Sequence, residues 1–290
     1  MTQRVWTVKD ALDWTVDYLS KKGIDQPRIS AEWLMSSATG LTRVEVYAYH
    51  ERPLGEEERA ALRESVKRRA EGMPLQYVTG EMPFRHIVLH VEPGVFIPRP
   101  ETETLVQIGL DHLGRIEEEE PLVADLCTGS GCVACALASE HETVRVFATD
   151  TSSKAVEISV ANAERLGVSG RVTIEKGDLF APFPRNLHRR LQVVLSNPPY
   201  IPASDLAELP AEVVDHEPDL ALNGGEDGLD VARRIAEEAT IWLAPGGLLA
   251  IELDESRVQN AVKELEAWYE DIYVAKDLAG RDRVAVGTLP

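Results

Sequence analysis

Apolar residues recur along the first eighty positions at steps of three and four. Val8, Ala11, Leu12, Thr15, Val16 and Leu19 would line one side of a helix that Gly23 stops. The same spacing predicts a second helix over about 30–39, closed by Gly40, and a third over about 56–71, closed by Gly72. A small helical bundle follows, with Trp6, Trp14, Trp33 and Leu34 expected in its core and Lys67-Arg68-Arg69 on a solvated helix face. The period changes over 81–98. There Phe84, Ile87, Leu89 and Val91 partly alternate with polar neighbours, and Pro93-Gly94 offers a turn before Val95-Phe96-Ile97, which predicts a β-hairpin joining two domains.

From residue 122 onward, short apolar runs alternate with helical stretches. Strands are expected at 122–125, 144–149, 172–175, 191–195 and 248–252, with helices near 132–140, 152–166, 228–243 and 256–269. The last two apolar segments, 272–275 and 284–286, stand close enough to form an antiparallel hairpin at a sheet edge. The pattern is that of a Rossmann-like, doubly wound α/β sheet with an antiparallel edge strand. It divides the chain into a helical domain at 1–80, a hairpin linker at 81–100 and a catalytic domain at 101–290. Residues 117–120, four consecutive glutamates, read as a solvated linker, and no internal repeat is visible.

Charge is unevenly shared between these parts. Residues 1–100 carry 14 basic and 14 acidic side chains, whereas residues 101–290 carry 16 basic and 35 acidic, so the whole net charge of −19 lies in the second part. A nucleic-acid enzyme needs Lys and Arg along its groove to replace phosphate counterions. The acidic part suits a basic protein partner better than direct contact with nucleic acid. No stretch approaches the run of about 18 apolar residues that a spanning helix needs, and Lys9 and Asp10 interrupt the start where a secretion signal would be apolar. A cytoplasmic protein without membrane contact is expected. The three cysteines, Cys127, Cys132 and Cys135, are spaced like part of an iron–sulfur site but lack a fourth ligand. They read as small packing residues in a reducing compartment, and no metal is expected.

The chemistry concentrates at two strand ends. Asp125-Leu126-Cys127-Thr128-Gly129-Ser130-Gly131 lies where the first strand hands over to its helix, with glycines that permit a tight turn and close approach by a ligand. Asp150 ends the second strand, 21 residues after Gly129, where a carboxylate can grip ribose hydroxyls. The cofactor is therefore expected to be a ribonucleoside. Gly129-x-Gly131-x-x-Ala134 also fits a dinucleotide pattern, but three features favour S-adenosyl-L-methionine over NAD. Asp125 can meet the cofactor's ammonium group; Asp178 and Leu179, after the third strand, can frame an adenine; and the fourth strand ends in Asn197-Pro198-Pro199-Tyr200. This last segment suits a planar NH2 group, a poor nucleophile that must be held in place. Asn197 supplies a side-chain acceptor, Pro198 and Pro199 stiffen the backbone so that its carbonyls can point into a cleft, and Tyr200 offers a flat face.

The order of five motifs resembles the PrmC (HemK) family of peptide chain release factor glutamine methyltransferases. These are Pro74-Leu75-Gln76-Tyr77-Val78-Thr79-Gly80; Phe96-Ile97-Pro98-Arg99-Pro100-Glu101-Thr102-Glu103; the loop from Asp125 to Gly131; Asn197-Pro198-Pro199-Tyr200-Ile201; and Glu217-Pro218 with Ala221-Leu222 and Gly224-Gly225-Glu226-Asp227-Gly228. The resemblance spans nearly the whole chain. It implies a class I S-adenosylmethionine-dependent methyltransferase domain, a hairpin linker and a helical N-terminal domain for substrate recognition. It also implies methylation of the amide nitrogen of the glutamine in the Gly-Gly-Gln motif of bacterial release factors. Carried onto matching positions, Cys127, Thr128, Gly129, Ser130, Gly131, Asp150 and Leu179 line the cofactor site, with Asp125, Asp178 and Asn197 beside them. Asn197, Pro198, Pro199 and Tyr200 hold the glutamine, Asn197, Pro198 and Tyr200 as the catalytic set, and Arg99 and Glu101 belong to the wall near the transferred methyl. The chain departs from the family at Leu253-Asp254-Glu255-Ser256, where a His-Gly pair is common; this segment is expected either to touch the cofactor or to start the next helix. Two rival functions are an N6-adenine methyltransferase acting on nucleic acid, which shares the NH2 pocket, and a binding module that retains the cofactor fold without catalysis.

Overall fold

The computed structural model describes residues 5–290, which form two compact units. The first contains the residues up to Glu81 together with Pro210–His216; the second contains Met82–Leu209 and Glu217–Pro290. Among the described residues, no helix is long and apolar enough to cross a membrane.

The first unit holds α1 (Val8–Lys21), α2 (Pro27–Thr39), α3 (Arg43–Ala48), α4 (Glu56–Ala70) and α5 (Leu75–Thr79). Reciprocal caps start two of them, Thr7 with Asp10 at α1 and Thr42 with Glu45 at α3, each satisfying backbone N–H groups that a helix start leaves open. The apolar periodicity missed α3 and α5, which are too short to show a stripe. Val8, Leu12, Leu19, Leu34 and Met35 fill the core. The tryptophans depart from expectation: Trp6 and Trp33 are half-buried, and Trp14 is 46% exposed and stacks flat on Tyr18. Positions 11, 12, 15 and 19 define the inner face of α1, and position 14 lies outside it. Arg69 also departs. Far from being solvated, it is 5% exposed and donates to the Met73 carbonyl at 2.8 Å and to Glu212 Oε2 at 3.0 Å, which ties down the segment Pro210–His216.

From the boundary residue Glu81 onward, β1 (Glu81–Phe84) and β2 (Ile87–His90) form the expected hairpin, but its turn is at Arg85-His86 and not at Pro93-Gly94. Arg85 takes a left-handed backbone, φ 49°, and its side chain clamps Glu140 at 2.6 Å while its N–H donates to Glu103. Residues 95–97 form no strand; Val95 and Ile97 simply bury their side chains. The elements that follow are α6 (Glu103–Leu113), β3 (Leu122–Leu126), α7 (Cys132–Glu140), β4 (Arg145–Asp150), α8 (Ser153–Arg165), β5 (Val172–Lys176) and β6 (Leu191–Ser196). After α9 (Ala211–Val214), which belongs to the first unit, come α10 (Asp230–Trp242), β7 (Leu243–Glu252), α11 (Val258–Leu265), β8 (Glu270–Lys276) and β9 (Asp282–Thr288).

One sheet of seven strands runs in the order β5-β4-β3-β6-β7-β9-β8. The first five are parallel, and β9 is antiparallel to both of its neighbours, so the reversed strand is inserted next to the edge. Alternate side chains serve opposite faces. Val123, Val193, Leu195 and Ala250 enter one core cluster, whereas Ala124, Leu126, Val194 and Leu249 enter the other. The winding direction reverses between β3 and β6, the place at which an open α/β sheet leaves a crevice beyond its strand ends. Cys132 and Cys135 are buried in the helix that leaves this crevice, and burial pushes the Cys135 thiol up to about 12.

Candidate active site

Parallel register brings the two chemical corners together. Asp125 pairs with Leu195 and Leu126 with Ser196, so the chain leaves β3 and β6 side by side. The Ser196 hydroxyl donates to the Leu126 carbonyl at 2.7 Å and bolts the two exits to each other.

The corner after β3 is a folded-back loop. Asp125 is buried, and its Oδ2 accepts from the Thr128 hydroxyl at 2.6 Å and from the Ala134 N–H at 3.1 Å. Burial raises its pKa to about 7, while the Thr128 hydrogen bond acts in the opposite sense. Its Oδ1 accepts nothing from the described residues. Gly131 takes φ 80°, and a Cβ there would stand 3.0 Å from that of Ser159, so the loop can lie against α8 only with glycine at this position. Ser130 is buried, with a hydroxyl that finds no partner among the described residues. Asp150, at the end of β4, accepts from Gly129 N–H at 2.9 Å and from Ser152 N–H at 2.8 Å; burial raises its pKa as well.

Other expected cofactor residues are placed differently from one another. Cys127, half-buried at φ 59°, lines the same exit, its thiol pushed up to about 12 by loss of water and by Asp150. Leu179 has its side chain in the core cluster with Phe180 and Phe183. Asp178 is exposed and paired with Arg234 of α10 at 2.7 Å. Its carboxylate is therefore engaged in a surface ion pair.

The corner after β6 is built to keep acceptors open. Asn197 is half-buried, and its Nδ2 donates to Thr102 Oγ1 at 3.1 Å. No described residue donates to Asn197 Oδ1 or to the Pro198 carbonyl. The backbone that follows is stitched to residues 222–225: Ile201 N–H donates to the Leu222 carbonyl at 2.9 Å, and Gly224 N–H to the Ile201 carbonyl at 2.8 Å. A Cβ on Gly224 would stand 2.7 Å from the Pro199 carbonyl oxygen, and one on Gly228 2.3 Å from that of Tyr200. The two glycines thus let a second loop press against the proline turn and hold its shape. Tyr200 is half-buried against the core, its phenol raised by burial and then by the nearby Glu252.

A cavity of about 380 Å³ opens beside Tyr200, lined also by Arg99, Glu101, Glu252, Asp254 and Arg283. The expected wall residues Arg99 and Glu101 both reach it, and both are paired. Arg99 donates to buried Glu217 and lies over the Phe96 ring at 4.7 Å, while Glu101 accepts from Arg281 at 2.6 Å. The departure at 253–256 starts a helix: Leu253 is buried, and Asp254 accepts from Ser256 N–H at 3.0 Å just ahead of α11. Among the described residues, no group of His, Cys, Asp or Glu is arranged to hold a metal ion.

Four residues of this site had no role assigned from sequence. Thr102 stood inside a quoted motif, Gly224 and Gly228 stood in another, and Glu252 ended an expected strand, as Asp125 and Asp150 do. A polar residue at a strand end beside the switch point was the available signal for Glu252.

Comparison with known proteins agrees with this geometry. A model of the PrmC N-terminal domain matches residues 10–80, and one of the methyltransferase small domain matches residues 87–216. In fold the chain is similar to the hMettl16 catalytic domain solved in complex with MAT2A 3'UTR hairpin 6, at 14% identity and a TM-score of 0.56 over 78% of this chain and 81% of that one. Fold and site together define a class I S-adenosylmethionine-dependent methyltransferase.

Release factor glutamine methyltransferase of Geobacter sulfurreducens is 40% identical over 100% of both chains. That of Rhodopirellula baltica is 39% identical over 96% of this chain and 95% of its own, and that of Moorella thermoacetica 41% identical over 96% of each. The chain belongs to the release factor glutamine methyltransferase family.

The residues present fit the cofactor. A sulfonium nucleoside with an ammonium group brings positive charge, and the crevice offers a buried carboxyl at Asp125 and a half-buried one at Asp150, at the end of β4, that a cation would stabilise. The partnerless Ser130 hydroxyl and the open Oδ1 of Asp125 are further unused acceptors in the same loop.

Proposed function

We propose that this chain methylates the side-chain amide nitrogen of the glutamine in the Gly-Gly-Gln motif of bacterial peptide chain release factors, using S-adenosylmethionine, in the cytoplasm. The observation that carries this is the pair of open acceptors at the end of β6, Asn197 Oδ1 and the Pro198 carbonyl, with the other end of the Asn197 amide already bonded to Thr102.

An amide nitrogen is a poor nucleophile because its lone pair is delocalised, so the task is positioning. Asn197 Oδ1 and the Pro198 carbonyl accept one amide hydrogen each and fix the nitrogen's direction. Tyr200 presents a flat surface to the carboxamide plane. As the nitrogen gains positive charge, both hydrogen bonds strengthen, so they favour the transition state over bound substrate. The product nitrogen is strongly acidic and loses its proton without a dedicated base. When bound, the cofactor supplies an electrophilic methyl group; Cys127 to Gly131, Asp150 and Asp125 are the residues that would hold it, with Leu179 and Asp178 flanking. Arg99 and Glu101 would shape the wall of the substrate cavity.

The test is mass spectrometry of a release factor and of a DNA duplex, each incubated with this protein and S-adenosylmethionine. One added methyl on the Gly-Gly-Gln glutamine is expected. Methyl transfer to DNA alone would instead support the N6-adenine reading, which the excess of acidic over basic side chains in residues 101–290 disfavours.

A further inference from the structure

We propose that the cavity beside Tyr200 is the subsite for the peptide chain flanking the target glutamine, and that Glu252 accepts a backbone N–H of that chain there. This assignment rests on the glutamine-holding role of Asn197 given above and extends it to the neighbouring part of the same substrate.

The cavity, about 380 Å³, falls in the size range of ligand pockets and begins where the glutamine corner ends, because Tyr200 belongs to both. Ile201, Pro202 and Leu209 supply apolar wall. The charged groups around it are of both signs, and most are already engaged. Arg99 is tied to Glu217 and Glu101 to Arg281, while Asp205 accepts from Arg257 at 2.8 Å and Asp254 from the Ser256 hydroxyl at 2.6 Å. Glu252 is the exception. It ends β7, lines the cavity and is 1% exposed, and its Oε2 finds no hydrogen-bond partner among the described residues. A buried acceptor left without a donor is costly, so a ligand that supplies one gains more here than at a hydrated surface group.

The donor that fits is neutral. Arg99 and Arg283 share the cavity and favour the ionised form of the Glu252 carboxyl, so a lysine or arginine of the substrate would meet their repulsion. A peptide N–H has no net charge and always donates. The two residues before the glutamine in Gly-Gly-Gln carry no side chain, which lets their backbone come close to a recessed oxygen. An adenine held by its NH2 group at Asn197 would bring no peptide backbone to this cavity. Glu252 therefore separates a glutamine within a chain from other planar NH2 groups that the Asn197 corner can hold.

The experiment measures kcat/KM of the parent, E252M and E252Q on an intact release factor and on one in which esters, introduced by ligation, replace the amides that carry the N–H groups of the second glycine and of the glutamine. The parent should be about tenfold slower on the ester substrate, as expected for one lost hydrogen bond to a charged group. E252M fills the space without an acceptor; it should be about tenfold slower than the parent on the intact substrate, lose nothing further on the ester, and keep the cofactor Kd within about twofold. E252Q retains an acceptor oxygen and should recover part of the loss. A parent indifferent to the ester, or equal ester penalties in parent and E252M, overturns the subsite and leaves the cavity to water. If E252M does not fold, E252Q decides: its ester penalty should be smaller than the parent's, and an equal one overturns the assignment. A parent that leaves the intact release factor unmethylated defeats the glutamine reading, and this subsite with it.

Discussion

Asp125, next to last in β3, and Glu252, last in β7, lie one on each side of β6, and burial pushes both carboxyls up to about 7. Their partners differ. Asp125 spends Oδ2 on Thr128 and Ala134 and so fixes the path of its own loop. Glu252 shapes no loop, and its Oε2 meets nothing among the described residues. Similar raised values thus record burial in both cases and say nothing of use. Hydrogen bonding makes the difference: Asp125 braces a loop, and Glu252 braces none.

The sharpest test of that contrast lies on the strand between them. Asn197→Ala should lower kcat by about 10²-fold, by analogy with the loss of one preorganised polar group, with the cofactor Kd within about twofold of the parent. Calorimetry and initial rates separate the two quantities, and a matched loss in both would erase the distinction between the corners. Next in size, Asp125→Ala frees the Thr128 hydroxyl and the Ala134 N–H, and should weaken cofactor binding about 30-fold from two lost hydrogen bonds while sparing kcat at saturation. Unchanged cofactor affinity would remove Asp125 from the cofactor corner.

A third test uses pH. Both carboxyls have folded pKa values above their ordinary range, so their contribution to stability is present below that range and is lost as pH rises through about 7. Melting temperature without cofactor should therefore fall over this window. Saturating S-adenosylmethionine should remove the Asp125 share, because an ammonium partner stabilises the ionised form, whereas E252Q should flatten the slope with or without cofactor. A slope indifferent to cofactor would show that no cation meets Asp125. The smallest effect is expected at Arg234→Met, which breaks an exposed pair with Asp178. It should cost about 0.5 kcal/mol or less in stability and leave cofactor affinity within about twofold; a larger loss of affinity would give Asp178 a binding role that depends on its ion pair.

Much of the fold was legible because it rests on periodicity. The five parallel strands, the reversed strand near the edge and the long helices all follow from runs of apolar residues at steps of two or three to four. Short elements capped by side chains were not legible in that way; Thr42 with Glu45 starts α3 without any apolar stripe. The turn at Arg85-His86 was hidden because Pro93-Gly94 offers the stronger local signal, whereas Arg85 is held by distant partners, an ion pair with Glu140 and hydrogen bonds to Glu103. Burial of Arg69 depends on Glu212, 143 positions away, which no local pattern contains. At the site, residue types and strand ends pointed to Asn197 and Asp125. The hydrogen bond from Asn197 to Thr102 needs residues 95 apart in sequence to be neighbours.

Strand β9 sits between β7 and β8, and its ladder to β7 covers Leu248 to Glu252. Without the residues from Asp282 to Thr288 every motif named above would still be present, yet β7 would have an open edge and β8 no partner. The edge that closes the catalytic sheet is thus held by a segment that contains none of the residues assigned to chemistry.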